Sequence, residues 1–331
     1  MAPGRSVVLL ESSTLGSGAS GRTGGIALGE TGSGDLPGLG DVLTGYSGIL
    51  TQLGVDAALT FPGVFEIGRS GRRSRPSLAS PIEWQDAGAL RVVAEVPGGA
   101  IDPGKVISGL GRAACARGAV VLEDTAAESL EFGAPLLVRT AAGELRARRV
   151  FVATNAQSAR LSDLAEHSSA KFTLAVLTQA LATPDRQALG LGSGKPFYTV
   201  DLPYLWGRTM PDGALMFGAG LVDIPSDRDL SALDISAGDA AGQFASLERR
   251  VRGLHPALAK IEFSHRWGGP IRFGLDWELF FDWHPRSRDV LVLNGLGGHG
   301  VAQSVYLGCW AAEVIAGLRE LPDWGKIPGP L

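Results

Sequence analysis

The two ends of this chain are punctuated alike. Near the start, residues 6–11 (SVVLLE) form a short apolar run that reads as a buried parallel strand, followed by the small-residue stretch 16–30 (GSGASGRTGGIALGE). Near the end, residues 289–294 (DVLVLN) form another such run, followed by the glycine loop 295–300 and a helix to about residue 318. In that helix Val301, Val305, Gly308, Ala312 and Ile315 leave a small apolar face able to pack on a sheet. Strands of this kind share one sheet, so both ends must meet in a single α/β layer and the middle must be an insertion.

The chain between them supports that division. A helix with Val42, Ile49, Leu50 and Leu53 leads to strand-like pieces at 64–67 and 89–93. Asp102-Pro103 opens a helix through Val106, Ile107, Leu110, Ala113 and Ala114, which Gly118 stops. Residues 119–122 read as another buried strand, and strands at 136–140 and 149–153 follow, the last running into Thr154 and Asn155. From about 170 to 285 the style changes to alternating strands (172–181, 214–219), most of the aromatics and one amphipathic helix at 240–254. The expected fold is α/β: one domain from 1–60, 98–168 and 286–331, and a second, α+β on a mixed or antiparallel sheet, from 61–97 and 169–285.

Composition narrows the function. Glycine accounts for 47 of 331 residues, about twice the usual ~7%, without the period of collagen, so the excess is local. Lys and Arg total 30 against 34 Asp and Glu, which argues against a nucleic-acid partner. The one basic run, Arg69, Arg72, Arg73 and Arg75, reads as a solvated loop. Cys115 and Cys309 lie far apart in apolar helical patterns, which predicts buried thiols in a reducing compartment. No run reaches the ~18 apolar residues of a membrane span and no signal peptide is legible, so a cytoplasmic protein is expected. The five histidines lack metal-ligand spacing, and neither a G-x-S-x-G elbow nor a P-loop is present, so no metal, hydrolase or NTPase site is expected.

Two stretches fit G-x-G-x-x-G literally, Gly16/Gly18/Gly21 and Gly295/Gly297/Gly300. A dinucleotide fingerprint needs strand, loop and helix in that order, with an acid at the end of the next strand. The first string has its acid, Glu11, before the glycines, and the second lies too near the end for a further strand. Neither is a pyrophosphate loop of that kind. Yet SVVLLE, GSGASGRTGG, RVFVATN and NGLGGHGVAQ, in this order and at these distances, resemble the FAD-dependent oxidoreductases of the D-amino-acid oxidase family. WQDAGALRV, PGGAIDPGKVISGL and HRWGGPIRF support the likeness, which covers residues 6 to about 318.

The resemblance implies a Rossmann-like FAD-binding domain, an inserted substrate domain, noncovalent FAD and a small-molecule amine or amino-acid substrate, with oligomeric state open. It implies that Glu11 accepts from the adenosine ribose, the alternative being a solvated acid at a strand end. Along Gly18, Ser20, Gly21, Arg22, Thr23, Gly24 and Gly25 the chain would pass the pyrophosphate and flavin. Thr125 and Ala126 would lie near the adenine, and Thr154 and Asn155 at a strand end approaching the cofactor. Gly295, Gly297, Gly298, His299, Gly300 and Val301 would bring a helix amino terminus to the flavin N1 and C2 carbonyl. On the substrate side it implies Trp206, Arg208, Tyr204 and Tyr198 facing the cofactor, with Arg208 able to clamp a carboxylate. A surface arginine in an aromatic cluster is the alternative, and His299 could touch substrate or simply bond within its loop. A structural role is expected for His265 and Trp267.

Four departures matter. The strand, G-x-G-x-x-G loop and helix that open the family's chains have no counterpart before residue 6, so an inner strand and the main phosphate donors are expected to be missing. Either the start is misassigned, or the chain is a remnant or needs a partner. Ala302 stands where sarcosine oxidases carry a carboxylate-binding lysine, and 267–273 contains no flavin-linking cysteine. Met216 or Phe217 stands where those enzymes carry the lysine associated with oxygen reactivity, leaving a dehydrogenase open.

Overall fold

The computed structural model describes residues 6–69, 80–157, 159–162, 164–224 and 238–329. The chain opens with β1 (Val8–Leu10), α1 (Ala19–Arg22), β2 (Ile26–Leu28) and α2 (Val42–Leu53), then crosses into β3 (Val64–Arg69), β4 (Trp84–Gln85) and β5 (Ala89–Val96). It returns through β6 (Gly98–Ala100), α3 (Pro103–Ala116), β7 (Val120–Leu122), the meander β8 (Ser129–Glu131), β9 (Leu136–Thr140) and β10 (Gly143–Ala147), then β11 (Val150–Val152) and α4 (Ala159–Ser162). A second excursion comprises β12 (Ser168–Ala180), α5 (Thr183–Ala188), β13 (Phe197–Thr199), β14 (Leu205–Thr209), β15 (Ala214–Ile224), α6 (Gly238–Leu254) and β16 (Phe263–Gly274). The elements β17 (Phe280–His284), β18 (Ser287–Asn294) and α7 (Gly300–Ala316) bring the chain back.

Both excursions build one eight-stranded mixed sheet, ordered β16-β12-β15-β14-β13-β3-β5-β4. Among the described residues its one parallel pair is β13–β3, where the two excursions join. Side chains alternate between the two faces of a strand. One face carries Phe65, Phe172, Phe197, Leu205 and Phe217 against Phe244, Leu247, Val251 and Leu254 of α6, all buried. Trp84 closes this core: its Nε1 donates to the Leu189 carbonyl at 3.0 Å and its ring meets Phe197 edge-on at 4.9 Å. The other face turns toward the chain ends.

The ends share a second core, in which Ala27, Tyr46, Leu50, Ile101 and Val106 pack with Leu291, Leu293, Leu307 and Trp310. Local chemistry sets its helices. Asp41 caps α2 by accepting from the Thr44 amide at 3.0 Å, and Gly54, at φ 69°, ends it in the left-handed region that favours glycine. Where α2 meets α7, a Gly45 Cβ would lie 2.4 Å from Tyr306 Cε2, so only glycine allows the approach.

Two parallel pairs carry the strands expected in the α/β layer, β1 with β7 and β11 with β18, the latter extended by antiparallel β17. Here the expectation of buried strands at 6–11 and 119–122 is corrected. Val7, Val8 and Leu9 are 41–44% exposed and Val120 is 51% exposed. A parallel strand is buried when neighbours flank it on both sides and helices cover both faces. Among the described residues β1 pairs only with β7, and β11 only with β18.

Two further expectations are corrected. Cys115 and Cys309 are exposed, because α3 buries Val106, Gly109 and Ala113 and α7 buries Ala302, Leu307 and Ala311, which turns both thiols outward. Arg69 is no solvated loop residue. Its guanidinium pairs with Asp86 at 2.5 Å and with Asp201, all three side chains being 10–12% exposed, while Arg250 joins Asp86 at 2.7 Å. These two arginines also donate to the carbonyls of Leu202, Pro203 and Tyr204, fixing the β13–β14 loop. Arg72, Arg73 and Arg75 lie outside the described residues.

Candidate active site

Alternation along β14 sends Leu205 into the core and Trp206 and Arg208 to the opposite face. Register carries that face across the sheet. Glu66 lies opposite Tyr198, Tyr198 opposite Trp206, Trp206 opposite Gly218, Gly218 opposite Ala175, and Ala175 opposite Trp267. The two small residues make room for the indole of Trp206, which occupies the space a Gly218 side chain would need, 2.0 Å from its Cβ position.

The segment 22–30 runs against this row. Trp267 Nε1 donates to the Arg22 carbonyl at 3.0 Å. The Trp206 ring covers Gly24, where a Cβ would stand 2.3 Å from Cζ3. Next along the segment, Gly25 at φ +68° would place a Cβ 3.0 Å from Arg208 Nη2, and beyond it Glu30 Oε1 lies 2.6 Å from the Tyr198 hydroxyl. Arg208 is 8% exposed and its Nε has no partner. Burial lowers its affinity for the proton from the ordinary guanidinium value, the charge of Asp102 opposing this. Asp102 itself caps α3, accepting from the Lys105 amide at 3.1 Å. The guanidinium therefore faces the segment with donors to spare.

The second glycine loop borders the same region. Gly295, Gly297 and Gly298 all have positive φ, the Gly297 amide donates to the Arg272 carbonyl at 3.1 Å, and α7 starts at Gly300 without a side-chain cap, Val301 in its first turn. His299 Nδ1 lies 3.1 Å from the Gly297 carbonyl, and a Gly32 Cβ would sit 3.4 Å from the same nitrogen. Burial lowers the His299 pKa from 6.5, outweighing the Glu30 charge and the Gly297 carbonyl, which act the other way. A base with a lowered folded pKa costs stability once the unfolded chain protonates. Stability should therefore fall as pH drops below about 6.5 toward the lower folded value. Unfolding curves between pH 7 and 5 should be flatter for His299→Gln than for the parent, and parallel curves would refute the assignment.

The remaining residues singled out in the sequence lie on the β1–α1 side and at the end of β11. Glu11 Oε1 accepts from the Ser13 amide at 3.0 Å, Ser12 Oγ at 3.3 Å and Ser17 Oγ at 3.4 Å, and the Glu11 carbonyl accepts from the Thr125 amide at 2.8 Å. Gly18 precedes α1, which holds Ser20 and Gly21, and Thr23 follows it with Oγ1 accepting from the Gly25 amide at 3.3 Å. Ala126 and Thr154 are exposed, and Asn155, at φ 42°, has a buried Oδ1 without a partner. Tyr204 stands apart from this group: it is 39% exposed, and its carbonyl accepts from Arg250 at 2.8 Å. Met216 and Phe217 are buried.

A strand-end carboxylate, uncapped helix amides, glycine-only backbone and an orphaned amide oxygen suit a ligand with hydroxyls, an anionic part and a donor. The model of FAD-dependent oxidoreductases (DAO) matches residues 2–314. The chain belongs to this DAO family. It is 26% identical over 227 residues to a probable oxidoreductase, OrdL, of Rhizobium meliloti, covering 66% of this chain and 48% of the relative. It is also 26% identical over 261 residues to gamma-glutamylputrescine oxidoreductase of Escherichia coli, covering 73% and 56%. The chain thus spans about half the length of the curated relatives it matches. Among solved structures, glycine oxidase from Geobacillus kaustophilus superposes with a TM-score of 0.73 at 18% identity, over 96% of this chain and 90% of that one. Iminodiacetate oxidase from Chelativorans sp. BNC1 gives 0.71 at 18% identity, over 99% and 94%.

As a DAO-family chain it is FAD-dependent, with an α/β fold and a large mixed sheet. Among the described residues no helix is long and apolar enough to cross a membrane, and no cluster of His, Cys, Asp or Glu could hold a metal ion. Sequence reasoning missed Glu30 and Glu66. One signal was available for Glu66: an acid inside the apolar strand VFEIGR is rarely placed there without a partner.

Proposed function

We propose that this chain oxidises the C–N bond of a small amine or amino acid. Bound FAD would supply the two-electron acceptor, at its N5, for hydride from the carbon that bears nitrogen. The observation that carries this reading is Arg208, a buried guanidinium with spare donors, on the sheet face covered by the Gly24–Gly25 segment. Arg208 binds the substrate's carboxylate in a two-pronged contact, with Trp206 and His299 lining the same space. Tyr204 is left out of that role by its exposure.

On the cofactor side, Glu11 accepts from ribose hydroxyls at the carboxyl end of β1. Gly18, Ser20, Gly21, Arg22, Thr23, Gly24 and Gly25 line the path of the pyrophosphate and ring, Thr125 and Ala126 border the adenine, and Thr154 and Asn155 close the far side. Gly295, Gly297, Gly298, His299, Gly300 and Val301 set the free amides of α7 toward negative charge on the reduced ring.

Purified protein loaded with FAD should have the two visible flavin bands, and an amine substrate should bleach them without oxygen. Candidates are taken from the relatives' names: glycine, L-proline, iminodiacetate and γ-glutamylputrescine. A protein whose flavin no amine bleaches refutes the reading. Glu11→Ala should weaken FAD binding roughly tenfold, as the loss of a charge-assisted hydrogen bond does. Unchanged affinity in a fluorescence titration rejects the ribose role.

A second reading, a catalytically silent or partner-dependent chain, is favoured by the open edge of β1, where Val7, Val8 and Leu9 are 41–44% exposed. Its test is uptake of added FAD by the chain alone: none at all selects this reading.

A further inference from the structure

Two asparagines stand where neighbouring parallel strands end. β11 and β18 run side by side with Val152 opposite Val292, so the chain leaves both strands at the same level. Asn294 is the last residue of β18, and Asn155 heads the short turn Asn155–Gln157 that follows β11. The carboxyl ends of parallel strands are where an open α/β sheet receives its ligands. Each asparagine keeps one amide atom buried and unpartnered, and the two atoms are of opposite kind. Asn294 is 0% exposed, and its Oδ1 accepts from the Gly295 amide at 2.6 Å while Nδ2, a donor, has no partner. Asn155 has the reverse need, a buried Oδ1 to which nothing donates. The two amides would relieve each other by bonding, and they do not.

Arg272 of β16 fixes the spacing between them. Its side chain is 1% exposed and bonds only to neutral oxygens: Nη2 and Nε donate to the Ala156 carbonyl at 2.9 Å and 3.3 Å, and Nη1 donates to Ser168 Oγ at 2.8 Å. Its own carbonyl accepts from the Gly297 amide at 3.1 Å. One residue thus holds the turn after β11 by its side chain and the loop after β18 by its backbone. A buried guanidinium without a carboxylate is costly to keep, and what it secures here is the position of these two segments. The turn it holds places Asn155 at φ 42°, in the left-handed region that asparagine enters more readily than most residues with a side chain. A group lying between the two amides must offer an acceptor to Asn294 and a donor to Asn155. An imide edge, a carbonyl beside an N–H, has both.

Resting on the cofactor placement given above, we propose that Asn155 and Asn294 form a two-pronged fork for the pyrimidine edge of the flavin. Asn294 Nδ2 donates to a ring carbonyl, and Asn155 Oδ1 accepts from the N3–H beside it. Arg272 is the positioning residue that spaces the prongs. Both prongs are neutral amides, so the fork reads the shape and polarity of the edge without moving a proton. Adenine also carries a donor next to an acceptor. The flavin is the occupant because Asn294 runs directly into the Gly295–Gly300 loop on the ring side of the cofactor. The adenine belongs to Thr125 and Ala126, beside the other strand pair, where the Thr125 amide is tied to the Glu11 carbonyl.

The decisive test needs only the unaltered protein and a modified ligand. FAD and 3-methyl-FAD, in which a methyl group replaces the N3 hydrogen, are titrated against it by flavin fluorescence. The parent should bind FAD roughly tenfold or more tighter than the methylated form, because methylation removes the N3–H donor and leaves Asn155 Oδ1 unpaired. Asn155→Ala should weaken FAD and bring the two ligands within about threefold of each other. Asn294→Asp, which turns a donor into an acceptor of the same shape, should weaken both ligands roughly tenfold. Arg272→Met should shrink the preference for FAD, which a merely structural arginine would leave unchanged. ADP, with the adenine but no imide, should bind the parent and Asn155→Ala alike. Equal affinity of the parent for FAD and 3-methyl-FAD overturns the fork and leaves the cofactor placement standing, whether or not any variant folds. An Asn155→Ala protein that keeps the parent's preference, or that loses ADP as well, overturns the fork too. A parent that takes up neither flavin overturns both the fork and the placement on which it rests.

Discussion

Arg208→Met should stabilise the protein and cripple the binding of carboxylate-bearing amines. The native side chain is 8% exposed, its Nε has no partner, and Asp102, the carboxylate whose charge acts on it, already caps a helix. Methionine fills similar volume without the desolvation cost, and such replacements of buried charge gain about 1–4 kcal/mol in denaturant unfolding. The same change removes the charged fork that holds a carboxylate, costing roughly 2–5 kcal/mol, or about 30- to 5,000-fold in the Kd of acetate or the KM of an amino acid. An alkylamine without a carboxylate should be nearly indifferent. Opposite signs for stability and binding are what a residue kept for its ligand produces. A methionine variant that is less stable, or that affects alkylamines and amino acids equally, would make Arg208 a structural residue.

Asp86→Ala should be strongly destabilising around the β13–β14 loop. Asp86 accepts from Arg69 at 2.5 Å and from Arg250 at 2.7 Å and 3.1 Å, and it is 10% exposed. Its removal leaves two guanidiniums in a site with one carboxylate, Asp201. Breaking a buried pair in this way costs about 3–5 kcal/mol. Chemical denaturation should register that loss, and limited proteolysis should find the β13–β14 loop, 200–204, newly cleavable, since both arginines also hold its carbonyls. A cost below about 1 kcal/mol would mean that the arginines find other partners or reach water.

The same two arginines mark what a sequence conceals. Arg69 stands in a basic, glycine-rich run and reads locally as solvent-facing, because its partners lie 17 and 132 residues away. Tyr198, Glu30 and Glu66 meet for the same kind of reason, register having brought together residues 168 and 132 apart. What is local was legible: the Asp41 and Asp102 caps with their helices, the strand-and-glycine-loop punctuation at both ends, and the inserted run of alternating strands. Apolar periodicity located the helices of Cys115 and Cys309, but which arc of a helix meets the core depends on where it docks. The runs at 6–11 and 119–122 have the composition of buried strands, yet burial belongs to neighbours and not to composition.

The joining of the two chain ends has a consequence for synthesis. Trp267 reaches back 245 residues to the Arg22 carbonyl, and Gln303 reaches back 273 residues to that of Glu30. On the ribosome the stretch 22–30 is made early and waits, with its opposing sheet incomplete until β16 emerges and its loop partner absent until α7 does. Contacts of such high separation form late and slowly. The nascent protein can therefore assemble the hydrophobic core under α6 before the stretch 22–30 is held on both sides, and on the proposed assignment of that stretch to the cofactor, FAD is a ligand of the finished chain.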